Sequence, residues 1–146
     1  MATQPALYIS KCLLKIADEG DNNDMTNMKL QKLLYYAQGT SIALYDRKLF
    51  NEDIYKWQYG PVVPNVYHHY KIHGSGIIPA SDVDLSTLDE KQIDILEDVY
   101  DFFGQFSAIK LMNLTHSESP WQEADMDGII GESSLKDFFN TIVVKG

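Results

Sequence analysis

The chain is poor in cysteine, poor in arginine and free of long apolar runs, and each scarcity closes off a class of protein. Cys12 is the one cysteine in 146 residues, so neither an internal disulfide nor a cysteine-based zinc cluster can form. Such usage suits a reducing compartment. No apolar run reaches the roughly 20 residues that a membrane helix needs. The opening MATQPALYISKC has no basic stretch leading into a long apolar one, so a cytoplasmic protein without a secretion leader is expected. Arg47 stands alone, and Lys plus Arg total 12 against 21 Asp plus Glu, a formal charge of −9. That excess repels phosphate backbones and draws in basic partners, so nucleic-acid binding is disfavoured. A DNA-binding regulator would also need a recognition helix rich in Arg or Lys, and none is present. Gly74-Ser75-Gly76 lacks the spacing and the lysine of a phosphate loop, and no G-x-S-x-G stretch occurs. Repeats, low-complexity tracts and inter-domain linkers are likewise missing.

What is present is material for a core. Apolar residues make up 45% of the chain, which disfavours disorder. Leu7, Ile9, Leu13, Leu14 and Ile16 recur at near-helical spacing over 6–18, and Gly20 with the polar run 21–24 stops that helix. Thr26 is placed to cap a second helix over about 27–45, where Leu30, Leu33, Leu34, Ala37, Ser41 and Leu44 form a steady stripe. The chain turns over 46–50. Leu49-Phe50 and 54–59 read as a short hairpin, which Gly60-Pro61 ends. Val63 is held extended by Pro64, and Pro64 suits the first turn of a helix to about Ile72. After the break at 73–76, Ile77-Ile78 reads as a third brief strand. Thr87-x-x-Glu90 has the form of a capping box for a helix bearing Ile93, Leu96, Val99, Tyr100 and Phe103. Ser107 caps a short helix through Leu114, and Ser119-Pro120-Trp121-Gln122 opens another with Pro at N1 and Gln at N3. A last helix over about 134–142 buries Leu135, Phe138, Phe139 and Ile142. The expected fold is mainly α: a single compact domain over 1–146, six or seven helices with a small β-hairpin insertion.

Three stretches carry a family resemblance. They are Lys29-Leu30-Gln31-Lys32-Leu33-Leu34-Tyr35-Tyr36-Ala37-Gln38, then Trp57-x-Tyr59-Gly60-Pro61-Val62-Val63-Pro64-x-Val66-Tyr67, then Leu114-Thr115-His116-x-Glu118-x-Pro120-Trp121. In this order and spacing they resemble the Panacea domain, also described as SocA-like or phage-associated GepA-like. Thr40 and Ser41 depart from the pattern, standing where bulkier residues are frequent. The resemblance implies an antitoxin that neutralises a cognate toxin, encoded by the adjacent gene, by direct binding. One branch of the family hands its toxin to a protease, so a proteolytic adaptor is the alternative within the same class. Nothing in the resemblance names the toxin.

Each stretch also has a physical reading of its own. In the second helix the leucine stripe is core, which leaves Lys29, Gln31, Lys32 and Tyr36, with Tyr35 beside them, nearer the surface. That side is either a partner surface, where tyrosine buries much area at low entropy cost, or simply a solvated face. Trp57 and Tyr59 share a face by strand alternation. With Gly60, Pro61, Val62 and the downstream Tyr67 they form a structural corner or a binding edge. Thr115, His116, Glu118, Pro120 and Trp121 form the most enzyme-like fragment. A His116–Glu118 pair would serve a small hydrolase as acid and base, but no motif places a nucleophile. The competing reading is a buried polar clasp with His116 hydrogen-bonded and Trp121 packed on the core. His68, His69 and His73 lack the glutamate of a zinc-protease helix, and the acidic runs do not match calcium loops. No catalytic residue, cofactor or metal is expected.

Overall fold

The computed structural model of the protein describes residues 3–20, 24–80 and 82–143. The part of the expected polar loop at 21–23 lies outside the described residues. Among the described residues seven α-helices and two short strands follow in the order α1 Ala6–Glu19, α2 Asn27–Tyr45, β1 Tyr55–Trp57, β2 Gly60–Val62, α3 Pro64–Tyr70, α4 Glu90–Phe103, α5 Ala108–His116, α6 Ser119–Glu123 and α7 Glu132–Phe139, with 3₁₀ turns at Lys71–His73 and Leu85–Thr87. The fold is mainly α with a small antiparallel hairpin, as the residue pattern predicts.

Helix α2 is the axis of the molecule. Thr26 caps it, its hydroxyl accepting from the Lys29 amide, and Asp46 closes it in the left-handed region, its own amide returning to the Ile42 carbonyl. Helices α1, α3, α4, α5 and α7 and strand β2 all pack against it. A helix covered on one side shows a polar stripe; one covered all round does not. Here Lys29, Gln31, Lys32, Tyr35, Tyr36 and Gln38 are as buried as the leucines between them. The solvated face expected for this helix is therefore absent. One continuous core runs from Ala6 to Phe139 around it.

Burying so many polar groups requires a partner for each. Gln38 supplies its own: its amide nitrogen donates to the Phe50 carbonyl at 2.7 Å while its oxygen accepts from the Leu49 and Phe50 amides. That is why Leu49 and Phe50 are buried in a loop and do not form a strand. The hairpin lies later than expected, with Tyr55 opposite Val62, Lys56 opposite Pro61 and Trp57 opposite Gly60. Gly60 starts the second strand at φ +123°, a conformation open to glycine, and Pro61 is tolerated because a two-stranded hairpin leaves its outer edge without a donor. Ile77 makes only an isolated bridge to Thr26, and Ile78 donates to the Met25 carbonyl.

Helix starts also shift. Asp89, not Thr87, caps α4, in a reciprocal box with Gln92. Thr87 belongs to a preceding 3₁₀ turn. Helix α6 begins one residue earlier than Ser119 as cap, with Glu118 at that position and Pro120 at the second helical residue. Helix α7 ends at Phe139, so Ile142 stays 46% exposed.

Candidate functional site

Glu118 fastens the third sequence stretch to the axis. Its two carboxylate oxygens accept from the Tyr35 hydroxyl at 3.0 Å and the Tyr36 hydroxyl at 2.8 Å. Burial raises the carboxyl pKa to about 7 against the pull of both tyrosine hydrogen bonds. The same burial, with the carboxylate opposite, pushes both tyrosines far above their ordinary value. Tyr36 also stacks on Phe103 at 3.8 Å, and Tyr35 meets Phe139 edge-on at 5.5 Å. Because Glu118 is spoken for, it cannot cap α6 with its side chain, which explains the uncapped start there.

Next to this clasp, the His116 ring stacks on Trp121 at 4.1 Å. Burial lowers the His116 pKa, while a backbone hydrogen bond with Gln58 opposes that shift, and its Nε2 has no hydrogen-bond partner among the described residues. Trp121 donates its indole N–H to the Trp57 carbonyl at 3.2 Å and carries the Lys56 ammonium 4.1 Å from its ring centre. Lys56 Nζ also donates to the Ala124 carbonyl. Thus α6 locks the hairpin from one side. Thr115 is fully buried against Gly60, and Pro120 is buried with it.

On the other side of the hairpin lies a cavity of about 640 Å³. Its floor is the first turns of α2, with Asn27, Met28, Gln31 and Lys32. Trp57, Tyr59 and Val62 of the hairpin form one wall, Tyr67 and Lys71 another, and Ala108 and Ile109 of α5 a third. Asn27 and Gln31 make the floor rigid: Gln31 donates to Asn27 and accepts from the Val63 amide, and Asn27 donates to the Tyr67 carbonyl. Trp57 meets Tyr67 edge-on at 5.2 Å. Tyr59 and Ile109 stand 62% and 59% exposed at the mouth. Tyr59 sits in the hairpin turn, not on a strand face with Trp57 as alternation suggested; both reach the cavity nonetheless.

The sequence-derived candidates therefore divide. Gln31, Lys32, Trp57, Tyr59, Val62 and Tyr67 meet at the cavity. Tyr35, Tyr36 and Glu118 meet in the clasp, with Thr115, His116, Pro120 and Trp121 along it, and Gly60 and Pro61 lie between the two. Lys29 belongs to neither: its ammonium donates to Asp24 at 2.8 Å and to the Gly104 carbonyl at 2.6 Å. His116 and Glu118 do not line the cavity. Asn27, Met28, Lys71 and Ile109 were not singled out from the sequence. Only Asn27 carried a signal, as the i, i+4 partner of Gln31.

Residues 30–122, a span that holds both the clasp and most of the cavity, match the family described as antitoxin SocA-like, Panacea domain. The chain belongs to the SocA-like Panacea antitoxin family. This Panacea domain is also 30% identical over 109 residues to the protein named antitoxin SocA of Caulobacter vibrioides (strain NA1000 / CB15N), a match covering 66% of this chain. It spans 58% of that relative's length. No solved structure matches it. Among the described residues no helix is long and apolar enough to cross a membrane.

Proposed function

We propose that this Panacea domain is an antitoxin of the cytoplasm that neutralises a cognate toxin, the product of an adjacent gene, by binding it directly. The observation that carries the reading is the apolar cavity with two large, exposed side chains at its mouth, Tyr59 and Ile109. It is built from the second helix, the hairpin and α5, and it is held by residues of the family's matched span. Exposed aromatic and aliphatic side chains beside a concave, rigid floor are the physical make-up of a protein-binding hot spot. A soluble chain of charge −9 has no need of such a patch for its own packing. The named relative is an antitoxin, and this supports the class of activity but not the partner.

The arrangement around His116 favours a structural role over hydrolysis. Both oxygens of Glu118 are committed to tyrosines, and the His116 ring is laid against Trp121. The test is co-expression: the neighbouring open reading frame is expressed alone, with this chain, and with its His116→Gln variant. Growth arrest by the neighbour alone, rescue by the wild-type chain and equal rescue by H116Q are expected, with the two proteins co-purifying. A harmless neighbour and no co-purifying protein would dismiss the reading. Rescue lost in an H116Q variant that still folds and still binds would turn the case toward catalysis.

A further inference from the structure

Strand β1 has neighbours on both sides. On one side it pairs with β2; on the other the segment 127–130 runs antiparallel to it, with Ile129 opposite Tyr55. The Asp127 amide donates to the Lys56 carbonyl, the Lys56 amide to the Gly128 carbonyl and the Ile130 amide to the Ile54 carbonyl. Successive residues of an extended chain aim their backbone groups to opposite sides, so those of Ile129 and the amide of Gly131 turn away from β1. Among the described residues the N–H and C=O of Ile129 and the N–H of Gly131 make no hydrogen bond. Gly131 is extended too, at φ −69° and ψ 148°. Together these residues form an open edge of the sheet.

The edge carries apolar surface as well as free backbone: Ile129 is 51% exposed and Met126 55%. Directly opposed residues share a face, so Ile129, Tyr55 and Val62 form one row, and Val62 at its far end lines the cavity. Lysine and proline, which ordinarily close an edge, do not occur between 121 and 135. The charge there is acidic instead. Glu123, Asp125 and Asp127 are exposed and, among the described residues, in no ion pair. Those carboxylates repel a second copy of this chain, whose edge is equally acidic, and attract a cationic strand.

We propose that this edge receives an extended strand of the toxin, paired through its backbone to Ile129 and Gly131. The strand sets an apolar side chain beside Ile129 and a lysine or arginine against Asp125 and Asp127. This inference rests on the toxin-binding reading and adds a second surface to it. Backbone pairing at the edge supplies affinity, the acidic side chains choose a basic strand, and the row Ile129, Tyr55, Val62 leads from there to the cavity.

The test uses the full chain and the product of the adjacent gene. Amide hydrogen exchange is followed residue by residue in the free chain and in the complex. Affinity is measured at low and high salt for the wild type, for Asp125→Asn combined with Asp127→Asn, and for the cavity-rim variant Ile109→Glu. Asparagine tolerates the left-handed backbone of residue 127, at φ 64°, so the double variant removes charge and leaves the turn intact. The Ile129 and Gly131 amides are expected to exchange freely in the chain alone and roughly ten-fold or more slowly in the complex. The double variant should bind roughly five-fold or more weakly at low salt and lose most of the salt dependence of the wild type. Unchanged exchange at Ile129 and Gly131 under a bound partner overturns the proposal, as does a double variant that binds like the wild type at low salt. In either case, loss of the partner by I109E leaves toxin binding standing and assigns it to the cavity alone. Protection that rises with the concentration of the free chain gives the edge to a second copy and also overturns the proposal. Absence of any binding by the wild type overturns the antitoxin reading itself, and the strand proposal falls with it.

Discussion

At the residue scale, Glu118 shows how one side chain can be both anchor and burden. Its carboxylate satisfies two buried tyrosine hydroxyls, so Glu118→Ala leaves both without an acceptor and is expected to cost about 2–4 kcal/mol in denaturant unfolding. Its ionisation works in the other direction. The folded-state pKa of about 7 lies above the ordinary carboxylate value of 4.5, so the native protein holds that proton more tightly than the unfolded chain does. The stability this group contributes is complete below about pH 4.5, declines as pH rises towards 7 and is gone above it. Glu118→Gln, which is always neutral, should therefore gain on the wild type between pH 5 and pH 8, and denaturant midpoints at the two pH values measure the gain. A gap that does not change with pH would show that Glu118 ionises in the native state as readily as in water. Cys12 adds a smaller point: burial raises its thiol to about 11, which leaves little thiolate for oxidation near neutrality.

At the element scale, the tightest junction is α2 against α7. A Cβ on Gly39 would lie 2.2 Å from the Phe139 ring, so the two helices approach only because that position carries no side chain. Gly39→Ala should cost about 1–3 kcal/mol by overpacking, despite the better helix propensity of alanine. A thermal melt that stays put or rises would refute this. At the start of α4, Asp89→Ala removes a cap and one partner of Arg47, and a loss of about 1 kcal/mol is expected by the same measurement. Elements such as these were largely legible in the residues. Periodicity located α2 from Asn27 to Tyr45, and Thr26 and Ser107 cap as their hydroxyls suggested. The errors share a cause. Thr87-x-x-Glu90 and Asp89-x-x-Gln92 satisfy one pattern two residues apart, and only tertiary packing, with Leu88 buried just before the cap, chooses between them. Gly60-Pro61 reads as a stop locally, yet Gly60 pairs with Trp57 across the hairpin. Several polar residues of α2 read as surface because partners such as Gly104, Val63 and Glu118 are far away along the chain. The cavity was legible only in part for that reason: Gln31, Lys32, Trp57, Tyr59, Val62 and Tyr67 lie in the first two family-like stretches, whereas Ile109 and Lys71 meet them only in three dimensions.

At the scale of the whole molecule, every major element leans on one helix, so no large part has a separate core into which it can retreat. Unfolding should be all-or-none, with tryptophan fluorescence from the hairpin and α6 and far-ultraviolet dichroism from the helices tracing a single denaturant transition. Two separated transitions would mean that the hairpin side melts independently of the axis. The charge distribution has the same unity. A chain of formal charge −9 has a cavity whose lining, among the described residues, holds no acidic residue, so its apolar walls stand apart from the acidic excess of the rest.

Helix α2 is made early, at residues 27–45, but α7, which covers it, is complete only at residue 139. At about 5–20 residues per second, a ribosome takes on the order of 5–20 s to cross that interval. Throughout it the nascent chain carries two tyrosines, Tyr35 and Tyr36, whose cover from Phe139 has not yet been made. The packing around the clasp is therefore completed only once α7 has been made. A pause in translation between the two helices leaves the α7-facing side of α2 uncovered, apolar surface of the kind chaperones bind.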